Sequence, residues 1–377
     1  MKYLFILGRN PSLSIVEIKG YFGERLIGYL KNKNAIIAEF DRPLERGITN
    51  ALGGVISIGE VFCEGNSAEI IKFLEEKCSY QGTKNNINYV IWDFSGSQIV
   101  SEARGAIKEK LKSEKVRATE KKISGIISLQ GGDEGLNLTS SLIDEEYFLF
   151  SDKNSGKFFF GKVNEKCDYE SIEKRDMEKP VRRQELSISP RLSKIMINLA
   201  GLKRKQKLLD PFCGIGVILQ EALLFGIRVV GIDMDKNAID GARKNLEWGR
   251  FQKEDYNLVL GDARKITPLE ADAVVTEPDF GEILKKIPDA YMAKKMILSF
   301  EELMIKTINN FKEKIPVFAF TAPLIKIHGS KKRISCNIER IMKETGSKID
   351  EEFPIPEFRE SQIVGREIIL LRAISNL

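Results

Sequence analysis

The stretch from Leu208 to Leu219, Leu-Leu-Asp-Pro-Phe-Cys-Gly-Ile-Gly-Val-Ile-Leu, restricts the fold more than any other part of the chain. A short apolar approach ends in Asp210, a glycine-bearing turn follows, and apolar residues then recur at helical spacing through Ile218, Leu219, Ala222 and Leu223. The pattern predicts a strand, a tight turn and a helix. Gly214 and Gly216 carry no Cβ, so a ligand can lie against the turn, where the first N–H groups of the helix lack intrahelical partners. This is not the dinucleotide fingerprint, because Leu219 stands where a third glycine would be.

The same arrangement recurs downstream. Arg228 to Asp233 reads as a second strand ending in an acid, about 20 residues after the turn, as ribose-binding acids do in such folds. Asp255 to Leu260 followed by Gly261-Asp262-Ala263 is a third, and Ala271 to Thr276 delivers Glu277-Pro278-Asp279-Phe280-Gly281. Any one of Asp210, Asp233, Asp262 and Glu277 is explained by capping the next helix. Four in succession predict a ligand-binding edge, since open α/β sheets bind at the carboxyl ends of their strands.

These motifs resemble those of the class I S-adenosylmethionine-dependent methyltransferases. Asp-Pro-Phe-Cys-Gly-Ile-Gly is similar to their first motif, Gly-Ile-Asp-Met-Asp to the second and Gly-Asp-Ala to the third. Glu-Pro-Asp-Phe is similar to their (Asp/Asn)-Pro-Pro-(Tyr/Phe) loop. The resemblance implies a seven-stranded Rossmann-like sheet with S-adenosylmethionine held by Asp210, Pro211, Gly214, Gly216, Asp233, Met234, Asp262 and Ala263. In that scheme Asp210 orients the turn and the methionine amine, Asp233 accepts the ribose hydroxyls, and Asp262 accepts the adenine amine. Glu277, Pro278 and Phe280 take the acceptor-side roles: an acid and a carbonyl for the acceptor N–H groups, and a ring for stacking. Glu277 is a methylene longer than the usual acid, and Asp279 replaces the second proline.

At 377 residues the chain exceeds one ordinary domain and predicts two or three. No apolar run approaches the roughly 20 residues that span a bilayer, and Met1 to Arg9 is too short for a secretory signal, so a cytoplasmic protein is expected. The five cysteines are scattered, odd in number and without a Cys-x-x-Cys pair, which argues against disulfides and zinc; no metal is expected. The single histidine, His328, sits in a Lys/Gly/Ser-rich loop and reads as solvated, which excludes most imidazole-based chemistry.

The first half alternates strands and helices: Tyr3–Leu7, a helix from Pro11, Ala35–Phe40, then a helix over 67–78, a strand over 88–94 and a helix over 99–113. Further strands are expected near 115–119, 123–129, 136–143, 146–151 and 157–163. Lys108, Lys112, Lys115, Arg117, Lys121 and Lys122 cluster there, either as a solvated face or as phosphate contacts. Met1–Glu17, the altered linker signature (Lys174-Arg175-Asp176, Lys179-Pro180-Val181-Arg182-Arg183, Ser189-Pro190-Arg191-Leu192) and the segment to Trp248 resemble the THUMP-containing tRNA guanosine-10 N2-methyltransferases. That resemblance implies an N-terminal α+β domain over 1–60, a THUMP-like RNA-binding domain over 61–165, a linker over 166–190 and a methyltransferase domain over 191–377. It further implies tRNA as partner, phosphate contacts from the basic cluster, and an activating subunit like that required by the eukaryotic relatives. Two other readings remain: an amino-methylase acting on adenine in RNA or DNA, and a tRNA-binding protein that keeps the cofactor with little catalysis.

Overall fold

The computed structural model describes residues 1–121, 143–183, 188–281 and 284–374, together with two short backbone strands at 127–128 and 134–135. It divides into two compact units, Met1–Ile15 with Phe22–Asp168, and Val16–Tyr21 with Tyr169–Leu377.

In the first unit the chain runs β1 (Lys2–Leu7), α1 (Pro11–Phe22, whose middle groups with the second unit), β2 (Leu26–Asn32), β3 (Ala35–Phe40), α2 (Ile48–Ala51), β4 (Val55–Gly65) and α3 (Ser67–Glu76). It continues through β5 (Asn86–Phe94), α4 (Ile99–Ser113), β6 (Arg117–Glu120), β7 (Ile127–Ser128), β8 (Glu134–Gly135), β9 (Glu145–Ser151) and β10 (Phe158–Lys166). Eight of these strands form one sheet in the order β2-β3-β1-β4-β10-β9-β5-β6. The boundary expected at 60/61 falls inside β4, which pairs with β1 on one side and β10 on the other, so the segments on either side share a sheet. α3 starts on a capping box between Asn66 and Glu69. α4 buries Ile99, Ala103, Ile107 and Leu111, one residue per turn, and leaves its opposite face to charged side chains. Strands expected at 123–129 and 136–143 lie largely outside the described residues.

The second unit comprises α5 (Tyr169–Met177), α6 (Pro190–Leu199), β11 (Lys207–Asp210), α7 (Val217–Leu224), β12 (Arg228–Asp233), α8 (Lys236–Trp248), β13 (Tyr256–Leu260), β14 (Ala273–Thr276), α9 (Ala290–Phe311) and β15 (Val317–Lys326). β16 (Arg333–Ile334), α10 (Ile338–Thr345), β17 (Ser347–Ile349), β18 (Ile355–Glu357) and β19 (Val364–Ala373) complete it. Its main path is β13-β12-β11-β14-β15-β19-β17, with β19 running antiparallel against β15. The seven expected strands are joined by β16 on β15 and β18 on β19, making nine. α10 starts at Ile338, where the Asn337 side chain caps it, and Arg333–Ile334 ahead of it pair with β15 as β16. The segment read as a linker packs within this unit: Arg175 of α5 donates from Nε to Glu221 of α7 at 2.9 Å, and Glu221 is almost fully buried. β15 is apolar on both faces because sheet neighbours and helices cover it, and α9 closes one side with Ile297, Phe300, Met304 and Ile308.

Candidate active site

β11, β12 and β14 are parallel, so their carboxyl ends open on one edge. After Asp210 the chain turns through Gly214 (φ +51°) and Gly216 (φ +84°), conformations that side-chain-bearing residues rarely adopt. A Cβ on Gly214 would meet open space, while one on Gly216 would approach Ala242 of α8 to 3.3 Å. The absent third glycine is explained by the opposing strand. Leu219 packs so close to Gly231 of β12 that a Cβ there would lie 2.6 Å from its Cδ1, so the small residue stands on the strand rather than the helix.

Asp233 holds this turn in place. Its Oδ2 accepts the Gly214 N–H at 2.9 Å and its Oδ1 the Asp235 N–H at 2.9 Å, while the Cys213 N–H donates to the Ile232 carbonyl at 2.9 Å. Asp210 is 1% exposed and accepts from Thr276 Oγ1 at 2.6 Å and the Phe212 N–H at 3.2 Å. Burial pushes its carboxyl up to about 7, against the two hydrogen bonds and with the help of nearby Asp233 and Glu277.

Across the edge, Glu277 follows Thr276. Arg366 of β19 donates to it from Nε to Oε1 and from Nη2 to Oε2, the latter at 3.3 Å. Thr321 of β15 lies 3.4 Å from Oε1, and the Glu277 side chain is only 10% exposed. Pro278 is buried, and Asp279 is exposed and accepts the Gly281 N–H at 2.9 Å, turning the loop without the second proline. The Phe280 ring stands edge-on to Phe300 of α9 at 5.8 Å and 66°, which fixes its plane.

One cavity of about 650 Å³ joins these two sides. Asp210, Gly214, Asp233 and Met234 line it on one flank, and Glu277, Pro278, Phe280 and Arg366 on the other. Its size is that of a ligand pocket. Four residues expected at the cofactor are not in its lining: Pro211, Gly216, Asp262 and Ala263. Asp262 instead takes a two-pronged bond from Arg264, Nε to Oδ1 and Nη2 to Oδ2, both at 2.8 Å, which holds its carboxyl below the usual range. Ala263 is core, with its carbonyl taken by Asn310 at 2.9 Å. Sequence reasoning missed Arg366, Thr276, Thr321 and Arg183, which bonds Asp235 at 2.6 Å on the rim. Arg366 carried no local signal, being 89 residues from its partner.

In the first unit Lys108 and Lys112 stand one turn apart on the exposed face of α4, and Lys115, Arg117 and Lys121 lie exposed along and beside β6 at the sheet edge. Lys112 has a weak exposed pairing with Glu109 at 3.6 Å. Lys122 lies outside the described residues.

A central β11 flanked by β12 and β14, with β19 antiparallel beside β15 and a glycine turn after β11, defines the second unit as a class I methyltransferase fold. Crystal structures agree on the fold: TrmN from Thermus thermophilus matches with a TM-score of 0.53 at 14% identity, covering 99% of this chain and 100% of that one. Residues 180–310 match the UPF0020 family, described as the RMKL-like methyltransferase domain. The tRNA (guanine(10)-N2)-dimethyltransferase of Methanothermobacter thermautotrophicus is 45% identical over 96 residues, 25% of this chain and 28% of that protein. That of Methanocaldococcus jannaschii is 32% identical over 221 residues, 54% of this chain and 58% of the relative. The tRNA (guanine(10)-N(2))-methyltransferase TRMT11 of Xenopus laevis is 25% identical over 314 residues, 74% and 64%. Over part of its length the chain is similar to these tRNA (guanine(10)-N2)-methyltransferases, and it spans less than two thirds of the length of each of these curated relatives.

Proposed function

We propose that the chain transfers a methyl group from S-adenosylmethionine to the exocyclic N2 of a guanosine, guanosine-10, in tRNA. The observation that carries this is the placement of Glu277, held by Arg366, across one cavity from the turn made by Asp210, Gly214 and Asp233. The donor supplies an electrophilic methyl on a sulfonium. The residues fit it: the Gly214 Cβ position is open, and buried Asp210 is poised to take a cationic amine that would draw it into its ionised form. Asp233 keeps acceptor capacity beyond its two backbone bonds for ribose hydroxyls. Asp262 retains lone pairs beyond those Arg264 uses, and we assign it the adenine amine.

Methyl transfer is an in-line displacement, so the chain's work is alignment and charge stabilisation. The guanine amine is a weak nucleophile because its lone pair is delocalised into the ring. Accepting its N–H groups at Glu277 and at the Pro278 carbonyl pulls that nitrogen toward tetrahedral geometry, and Phe280, braced on Phe300, offers the stacking face. As the C–N bond forms, the nitrogen gains positive charge beside Glu277, which then accepts its proton. Arg366 and Thr321 act as positioning residues, fixing a side chain one methylene longer than an aspartate. The exposed basic side chains of α4 and β6 supply phosphate contacts in a THUMP-like RNA-binding region. An activating subunit and work in the cytoplasm complete the proposal.

Incubation of the purified chain with labelled donor and unmodified tRNA, followed by nucleoside analysis, tests it. Label in N2-methylguanosine is expected, and label in any other nucleoside would redirect the acceptor. Arg366 engaging both oxygens of Glu277 favours one second reading, a tRNA-binding protein with little catalysis. Tight tRNA and donor binding without transfer would establish that reading instead.

A further inference from the structure

The loops that leave β14 and β15 lie on the edge of the sheet where the cavity opens, and a backbone bond ties them, His328 N–H to the Pro288 carbonyl at 2.8 Å. Around that tie stand six exposed lysines: Lys285 and Lys286 before α9, Lys294 and Lys295 in its second turn, and Lys331 and Lys332 on the other loop. Across residues 284–295 and 326–333 the only acid is Asp289, and its carboxylate accepts the Met292 N–H at 2.8 Å as the cap of α9. Among these lysines Tyr291 is 81% exposed. The patch reaches the rim directly: Leu284, just before Lys285, and Met296, just after Lys295, both line the cavity.

The structure assigns this surface to single-stranded RNA, the strand flanking the target nucleotide, with the lysines on its phosphates and Tyr291 stacked on a neighbouring base. Charge complementarity selects the occupant. Six exposed ammonium groups on these two tied loops and the start of α9, with an exposed ring among them in the chain, suit a polyanion with stackable faces, whereas an apolar protein partner would have to desolvate all six. Placement at the cavity mouth suits a base displaced from its stack, whose neighbours must be held while it enters. The tRNA identity of that strand rests on the function proposed above; the surface itself does not.

The test measures tRNA affinity as a function of salt for the full chain, for Tyr291→Ala, and for the combined Lys285→Gln, Lys286→Gln, Lys294→Gln and Lys295→Gln variant. Donor affinity by calorimetry serves as the control for folding. The slope of log affinity against log salt is expected to shrink by about 2 to 3 in the lysine variant, at about 0.7 per single-strand contact. Tyr291→Ala is expected to weaken binding roughly 5- to 100-fold. An unchanged slope with intact donor affinity would overturn the assignment, as would absence of tRNA binding by the unaltered chain. So would lysine-dependent capture of anionic vesicles with tRNA affinity untouched. Methyl transfer with an unchanged slope would remove this surface and leave the reaction standing; tRNA binding with the expected slope change but no transfer would do the reverse.

Discussion

The two flanks of the cavity are built by opposite means. The flank formed by β11 and β12 is local: Asp210, Gly214 and Asp233 lie within 24 residues, and the key bonds run from backbone N–H groups to one carboxylate. The flank formed by β14 and β19 is remote: Glu277 is fixed by a guanidinium 89 positions later, on the antiparallel strand, and by a hydroxyl on β15. A site that relies on backbone shape tolerates little variation in its motif. A site that relies on a side-chain pair can change its acid and its loop if a partner compensates. Here Glu277 and Asp279 depart from the usual loop, and Arg366 does the holding.

The sharpest way to break this contrast is Glu277→Gln. Transfer should fall by about 10²- to 10⁴-fold while donor affinity by calorimetry changes less than twofold. Comparable loss of donor binding would mean the flanks are not separate. Next, Arg366→Ala should lower kcat by about 100-fold with little change in the KM for donor, Arg366→Lys should recover part of it, and added guanidinium should restore some activity to the alanine variant. A structural brace alone would show no response to guanidinium.

On the other flank, Asp233→Ala removes the acceptor of two backbone N–H groups and should weaken donor binding by about 10- to 100-fold, with tRNA binding retained. Asp210 should show itself in the pH dependence of stability. Its carboxyl keeps its proton to about pH 7 in the fold but only to about 3.8 when unfolded, so the folded state binds more protons in that window. Unfolding free energy without donor should therefore fall as pH rises from 4 to 7, by about 4 kcal/mol at most, with the melting temperature falling alongside it, and Asp210→Asn should flatten that slope. The smallest effect concerns the first unit. Neutralising Lys108, Lys112, Arg117 and Lys121 together should reduce the salt slope of tRNA binding and leave donor binding unchanged, and an unaltered slope would return that face to plain solvation.

How much of this was legible beforehand follows the same division. The strand-turn-helix at Leu208 and the acids at strand ends could be read from spacing and apolar periodicity, because each depends on neighbours in the chain. Asp262 shows the limit of that method. Its place after β13 could be read from the pattern, but the two-pronged bond it takes from Arg264 could not. Nor did the sequence distinguish a boundary at 60/61 from the middle of β4, since a strand's partners are not written in its own pattern.

By itself the sequence determined the parallel core and the glycine turn after Asp210, because β-branched runs, a glycine pair and strand-end acids act on their immediate surroundings. Only the tertiary structure decided what Glu277 is paired with. That depends on β19 lying antiparallel to β15, with Arg366 level with Pro323, and such register is set by the packing of whole strands rather than by any residue's local preference.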